Sequence, residues 1–331
     1  MSLHCSTKYA TALLLGTIAA AAAPNPNILF IAVDDLRPSI GCYGDKVAVT
    51  PNLDRLAKRG VRFGQAHCQV AVCNPSRASL MTGLRPDTLG VWTLPIHFRE
   101  AKPEAMTLPQ WLRRHGYTAV SHGKIYHNPT PDPQSWSEPI RRVPAQQGYP
   151  RSVSAQIRAA QAKLPSQDWR KNNLRGPGSF ATNVDGNKLV DGVNTSLTID
   201  DLRRLGKTKQ PFFVAMGFIR PHLPWIAPKK YWDLYDPKKL PVITDGKVNA
   251  NTPPYALSNS YELTHYVDLI DFPKPWDKRR IPEAQARQLM HAYYASVSFV
   301  DAQIGRILAA LDEEGLADNT IIVLWSDHGW K

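Results

Sequence analysis

The stretch that most restricts the fold is NILFIAVDD, Asn27–Asp35, an apolar run that stops abruptly at two carboxylates. Without polar alternation, such a run reads as a strand buried on both faces, as in a covered parallel sheet. The rest of the chain supplies the helices that would cover it. TPNLDRLAKRG, Thr50–Gly60, has a Thr cap, Pro at the first helical position and a closing Gly. TLPQWLRRHG, Thr107–Gly116, is a second capped helix and runs into a strand at YTAVSHGK. PFFVAMGF, Pro211–Phe218, is a further strand. A long amphipathic helix, Glu283 to Glu314 closed by Gly315, precedes the last strand, NTIIVLWSDHG. The expected fold is therefore α/β, with a mainly parallel (mixed) sheet sandwiched between helices.

In open sheets of this kind the ligand site lies beyond the carboxyl ends of the strands. Three polar clusters fall there: Asp34-Asp35, His122 through His127, and Asp327-His328. They are expected to converge although far apart in sequence. Between them the pattern weakens, from Asn128 to about Gly206 and again from Ala227 to Pro273, where many of the 28 prolines lie. VRFGQAHCQVAV reads as extended, leading to a loop at Cys73 from which Pro75 starts a helix carrying Arg77 to Met81. No internal repeat or interdomain linker interrupts residues 24–331.

The first 23 residues carry Lys8, an apolar run from Ala10 to Ala23 and small residues at its end, the pattern of a cleaved export signal. The run is too short to span a bilayer comfortably, so no stable membrane anchor is expected. Cys5 would leave with the signal. Of the remaining Cys42, Cys68 and Cys73, arithmetic allows a Cys42–Cys68 bridge and leaves Cys73 over. The formal net charge of +12 suits acidic partners, sulfated or carboxylated glycans among them. Scattered solvated lysines and arginines account for that charge equally well. No nucleic-acid module is present, and export argues against such a partner.

Asp34, Asp35 and Asp327 are hard oxygen donors suited to Ca²⁺ or Mg²⁺. The Asp pair alone reads more readily as a helix cap or solvated turn. SDHG after an apolar strand tips the balance toward metal by adding a third carboxylate and His328. Cysteine spacing gives no zinc-finger pattern. In HGKIYHN, Lys124 and His127 are three residues apart and can face one pocket, one as an anion's counter-charge and the other as a proton carrier. His222, in RPHLPW, is flanked by prolines that stiffen its loop, as a positioned proton donor requires.

CNPSRASLMTG, Cys73–Gly83, matches the sulfatase signature of Cys-x-Pro-Ser-Arg followed by Thr-Gly. GCYGD, TPNLDRLAKRG, GKIYHN, RPHLPW, SVSFVDAQIGRIL and SDHGW resemble, in order from Asn27 to Lys331, the iduronate-2-sulfatase-like branch of that family, within the alkaline-phosphatase-like superfamily. The resemblance implies that a maturation enzyme oxidises Cys73 to formylglycine, whose hydrate is the nucleophile. It implies one divalent cation, Ca²⁺ with Mg²⁺ as the alternative, held by Asp34, Asp35, Asp327, His328 and the modified Cys73. Arg77 would help acidify the hydrate, Lys124 would neutralise sulfate oxygens, and His222 would protonate the leaving alcohol. His127 would then take the second hydroxyl proton and release sulfate. Ser76, Thr82 and Gly83 would shape the loop and be read by the maturation enzyme.

The implied substrate is a sulfated carbohydrate, such as a 2-O-sulfated uronic acid of a glycosaminoglycan or similar polysaccharide. In that branch SDHGW is followed by a Leu-Gly-Glu-His-like segment, a second sulfate-gripping lysine and a C-terminal subdomain. Here the sequence ends at Lys331, so the resemblance implies a catalytic domain, residues 24–331, incomplete at its C-terminus. The competing readings are an inactive truncated remnant, a phosphatase or phosphonate hydrolase of the same superfamily, and a basic glycan-binding module.

Overall fold

The apolar run at Asn27 forms strand β1 (Asn27–Val33), whose residues are buried almost throughout. In chain order there follow α1 (Pro51–Lys58), α2 (Cys73–Thr82), α3 (Leu108–Arg114), β2 (Thr118–Gly123), α4 (Val153–Lys163), β3 (Ser179–Thr182), α5 (Val190–Leu205), β4 (Phe212–Phe218), β5 (Trp225–Pro228), α6 (Glu283–Glu313) and β6 (Thr320–Ser326), with single helical turns between them. The computed structural model describes residues 25–241, 251–253, 256, 261–273 and 281–330; the stretch read as an export signal and Lys331 lie outside the described residues.

The main sheet has the order β2-β4-β1-β6, and all three ladders are parallel. Side chains alternate across β1 into two apolar layers. Leu29, Ile31 and Val33 pack with Ile199 and Leu202 of α5 and Val297, Val300 and Ile304 of α6. Phe30 and Ala32 pack on the other face with Ala78 and Met81 of α2 and Leu112 of α3. Each fully buried aliphatic or aromatic side chain contributes about 1.5–3 kcal/mol. This two-sided cover is why the central strands read as unbroken apolar runs. β2 and β6 are the edge strands of this sheet, and Ile321 of β6 stays 51% exposed.

Register brings the strand ends to one level. Val33 pairs with Phe218 on one side and Ser326 on the other, and Gly123 pairs with Gly217. The residues that follow, Asp34, Ile219, Asp327 and Lys124, therefore leave the sheet together. The approach of β2 to β4 is close: a Cβ on Gly217 would lie 2.2 Å from the carbonyl carbon and oxygen of Lys124.

The patternless stretch from 128 to 206 contains two helices and a strand, β3, that pairs in parallel with β5. The longer helix, α5, escapes sequence patterning because polar as well as apolar residues are buried along it, among them Asp191, Thr195, Thr198 and Asp201. Thr195 and Thr198 satisfy their hydroxyls on the carbonyls of Asp191 and Asn194, at 2.8 Å each. The stretch before Cys73 forms turns and bends, largely exposed, rather than a paired strand. Helix α2 starts at Cys73, so Pro75 sits within its first turn, where a missing N–H costs little. Thr107 makes the expected capping box with Gln110. Thr50 makes no side-chain cap: its hydroxyl accepts from Gly41 N at 2.9 Å and donates to Asp54 at 3.3 Å.

Candidate active site

Cys73 is the first residue of α2 and only 7% exposed, beneath the carboxyl ends of the strands. Its Sγ lies 3.2 Å from His328 Nε2. Burial, reinforced by the carboxylate of Asp34, pushes the thiol far above its ordinary pKa. The rest of the signature anchors this helix start. Ser76 Oγ donates to the Asp327 carbonyl at 2.5 Å, Thr82 Oγ1 to the Ala78 carbonyl at 2.7 Å, and Gly83 closes the helix at φ +68°.

Arg77, fully buried, is the hub. Its Nε donates to Asp327 Oδ2 and its Nη2 to Asp34 Oδ1, both at 2.9 Å, and Nη1 binds the Lys124 and Ile125 carbonyls. The Lys124 ammonium also bonds Asp34. Burial opposes the charge on Asp34, but Arg77 and Lys124 outweigh it and hold the carboxyl well below the usual range. The same balance raises Lys124: burial opposes its charge, and Asp34 more than compensates.

Asp35 is the exception. Burial and then the Asp34 and Asp327 carboxylates drive its pKa well above normal. It is the one described non-glycine residue with positive φ, at 58°, a conformation that costs energy and must be held in place. The holding groups are Asp327 Oδ1, which accepts from Asp35 N at 3.1 Å, and Tyr293 of α6, whose hydroxyl donates to the Asp35 carbonyl at 2.8 Å.

Asp34, Asp35 and Asp327 bring ligand atoms within 4.8 Å of one another, and the same spacing links Asp35, Cys73 and His328, and Asp34, Cys73 and His222. Asp35 Oδ1 is buried without a hydrogen bond, although His328 Nδ1 lies 3.1 Å away. Three crowded carboxylates around one orphaned oxygen fit a hard divalent cation of the Ca²⁺ or Mg²⁺ type.

His222 and His127 border this cluster. Burial, then the Lys124 charge, pushes both imidazoles down to about 4. His222 is held by its Nδ1 contact of 2.7 Å with the Leu223 carbonyl. Its loop is pinned from α5, where Asp191 accepts from Ile219 N at 2.8 Å and Arg220 N at 3.1 Å. His127 Nδ1 is buried without a partner.

All nine candidate residues, Asp34, Asp35, Cys73, Arg77, Lys124, His127, His222, Asp327 and His328, are thus brought to one end of the sheet. His122 is not. It lies within β2, before the strand ends at Gly123, and meets Asp201 of α5 at 2.7 Å. Cys42 is a half-buried thiol, so the arithmetically allowed bridge to Cys68 is not made. Sequence reasoning missed Asp191, Tyr293 and Glu262, the last with Oε1 3.7 Å from His222 Nε2. None of them lies in a motif; each reaches the site only through tertiary packing.

Comparison with known proteins agrees with this geometry. A family model described as Sulfatase matches residues 26–330. Iduronate 2-sulfatase of Mus musculus is 37% identical over 313 residues, covering 92% of this chain and 54% of the relative. A sulfatase of Formosa agariphila is 35% identical over 326 residues, covering 92% and 59%. The chain thus spans about half the length of the curated relatives it matches. The crystal structure of a phosphonate monoester hydrolase from Agrobacterium radiobacter superposes with a TM-score of 0.62 at 23% identity, over 92% of this chain and 63% of that one, a likeness of fold. Because the family match runs from the residue before β1 to the turn after β6, and so takes in every element that meets at Cys73, the chain belongs to the sulfatase family.

Proposed function

We propose that this chain carries the catalytic centre of an exported sulfuric ester hydrolase acting on a sulfated carbohydrate, with 2-O-sulfated uronic acid units as the favoured class. The observation that carries the reading is the position of Cys73: buried at the start of α2 and ringed by Arg77, Lys124 and the carboxylates. Oxidation of that thiol would place an oxygen nucleophile among these groups. Formylglycine at position 73 supplies a hydrated aldehyde whose hydroxyl is an oxygen nucleophile toward sulfur. A divalent cation on Asp34, Asp35, Asp327 and His328 supplies the positive charge that three carboxylates and a sulfate anion require.

The remaining roles belong to the chain's own side chains. Arg77 holds Asp34 and Asp327 in place through paired bonds of 2.9 Å, so the acidic wall is set before substrate arrives. Lys124 sits deep in the site and offers its ammonium to the charge on the sulfate's oxygens. His127, neutral above about pH 4, is ready to accept a proton. His222 is neutral in the free chain and becomes a donor once an anionic substrate favours its protonated form. An alcohol leaving group needs that proton, since an alkoxide leaves poorly.

The test has two parts. Mass spectrometry of the peptide spanning residue 73, from protein made with a formylglycine-generating enzyme, should show hydrogen sulfide lost and oxygen gained relative to cysteine. Calcium-loaded protein should then hydrolyse 4-methylumbelliferyl sulfate and a 2-O-sulfated uronate disaccharide, and Cys73→Ala should abolish both activities. Preference for phosphate or phosphonate esters would instead support the other ester-hydrolase reading. A converted, metal-loaded protein inert toward every sulfate ester would sink the proposal.

A further inference from the structure

Next to His222 the surface carries a group of aromatic rings. Glu262 Oε1 lies 3.7 Å from His222 Nε2 and 3.6 Å from Arg175 Nη1. Tyr261, the residue before Glu262, stacks on Trp169 with centroids 4.9 Å apart and planes 10° from parallel. His265 meets both rings edge-on, at 4.7 Å from Trp169 and 5.0 Å from Tyr261. Trp169 and Tyr261 remain 47% and 54% exposed. Two large rings kept half in water do little for the core, since their apolar area is what burial would have used.

The group is built to stay in place. Asp168 accepts from Arg170 N at 2.9 Å, and the Arg170 guanidinium is clamped on Asp168 and on the Ile270 carbonyl, the latter at 2.9 Å. Asn173 Nδ2 donates to the Trp169 carbonyl at 3.1 Å, and Arg175 N donates to the His265 carbonyl at 2.8 Å, tying the two segments together. Arg175 itself is half exposed, with Nη1 also 3.2 Å from the Tyr266 hydroxyl. Rings held this way lose little freedom when something stacks on them.

The chemistry that fits is a sugar ring. Its C–H face suits an aromatic plane, its hydroxyls suit the Glu262 carboxylate, and an anionic substituent suits Arg175. The chain's net charge of +12 points the same way, toward a polyanion. We propose that Trp169, Tyr261, Glu262 and Arg175 form a subsite for the sugar next to the one bearing the scissile sulfate, so that the substrate is an anionic oligosaccharide. This rests on the sulfatase reading above.

The experiment compares kcat/KM on a 2-O-sulfated uronate disaccharide and on a hexasaccharide of the same repeat. Wild type should favour the hexasaccharide, and the ratio should fall about tenfold in Trp169→Ala and in Tyr261→Ala, the scale of one lost ring stack. Trp169→Phe keeps a flat face and the packing beneath it, and should retain most of the preference. An unchanged ratio in both alanine variants overturns the subsite, as does a wild type indifferent to chain length. Should no sulfate ester be hydrolysed, the sulfatase reading fails, and calorimetric titration of the hexasaccharide into the Cys73→Ala protein still judges the subsite. There, affinity about tenfold weaker on adding Trp169→Ala supports it, and equal affinity refutes it.

Discussion

Replacing Arg77 by methionine keeps the length of the side chain and removes the charge at the centre of the site. The guanidinium makes bonds of 2.9 Å to both Asp34 and Asp327 and binds two backbone carbonyls, all with no solvent exposure. Methionine leaves two buried carboxylates, with Lys124 as the cation still bonded to Asp34. Removing one partner of a buried ion pair costs about 3–5 kcal/mol. For a domain of this size that lowers Tm by about 5–8 °C. Urea unfolding in the presence of a chelator should report this loss as a lower midpoint with an unchanged slope. Adding calcium should recover part of it in the variant, since a bound cation supplies the missing charge. A triple variant, Arg77→Met with Asp34→Asn and Asp327→Asn, should be more stable than Arg77→Met alone, because the unpaired charges are gone. The acid limb supplies a further sign. Asp34 is held below its ordinary pKa, so its contribution is present above about pH 4 and lost as pH falls through its folded value. In Arg77→Met that loss should begin at higher pH. If Arg77→Met in chelator unfolds within about 1 kcal/mol of wild type, the charge-hub argument is wrong.

Two further outcomes are expected. Gly217→Ala would set a methyl 2.2 Å from the Lys124 carbonyl, which backbone must yield to accommodate. Stability should drop by about 1–3 kcal/mol, while kcat/KM on a sulfate ester drops roughly a hundredfold because Lys124 moves off its position; wild-type activity in this variant would show that the approach of β2 to β4 does not set the lysine. The second concerns pH. With His127 and His222 pushed down to about 4, the unfolded chain takes up their protons first, so stability is full above about pH 6.5 and declines toward pH 4. Activity should move the other way, kcat/KM rising as pH falls from about 8 to 5, because the small protonated fraction of His222 grows about tenfold per pH unit while most His127 stays neutral. Unfolding midpoints and rates measured across that range check both, and a flat stability profile would contradict the burial of the two rings.

Much of this protein is decided by local chemistry that a sequence displays. The apolar runs at Asn27 and Phe212 read as strands covered on two faces and form them, and the Thr107 capping box starts its helix where the sequence says. The residues that gather at Cys73 are likewise legible, because strand ends that share a parallel register must leave the sheet at one level. Other features depend on partners far away in the chain. His122 lies two residues from Lys124, a spacing that an unbroken strand would keep on one face, yet β2 ends between them at Gly123 with φ +70°, and His122 meets Asp201 instead. Helix α5 carries little amphipathic pattern because its polar residues are buried and satisfied, and only its packing reveals that Asp191 holds the His222 loop. The positive φ of Asp35 is sustained by Tyr293, 258 residues away. Glu262, Arg175 and the rings beside them come from segments without periodicity, so no spacing rule brings them to His222. Sequence settles what each segment can bury and which groups can ligate or titrate; the tertiary structure decides which of them meet, because burial and charge pairing act between residues that the chain itself keeps far apart.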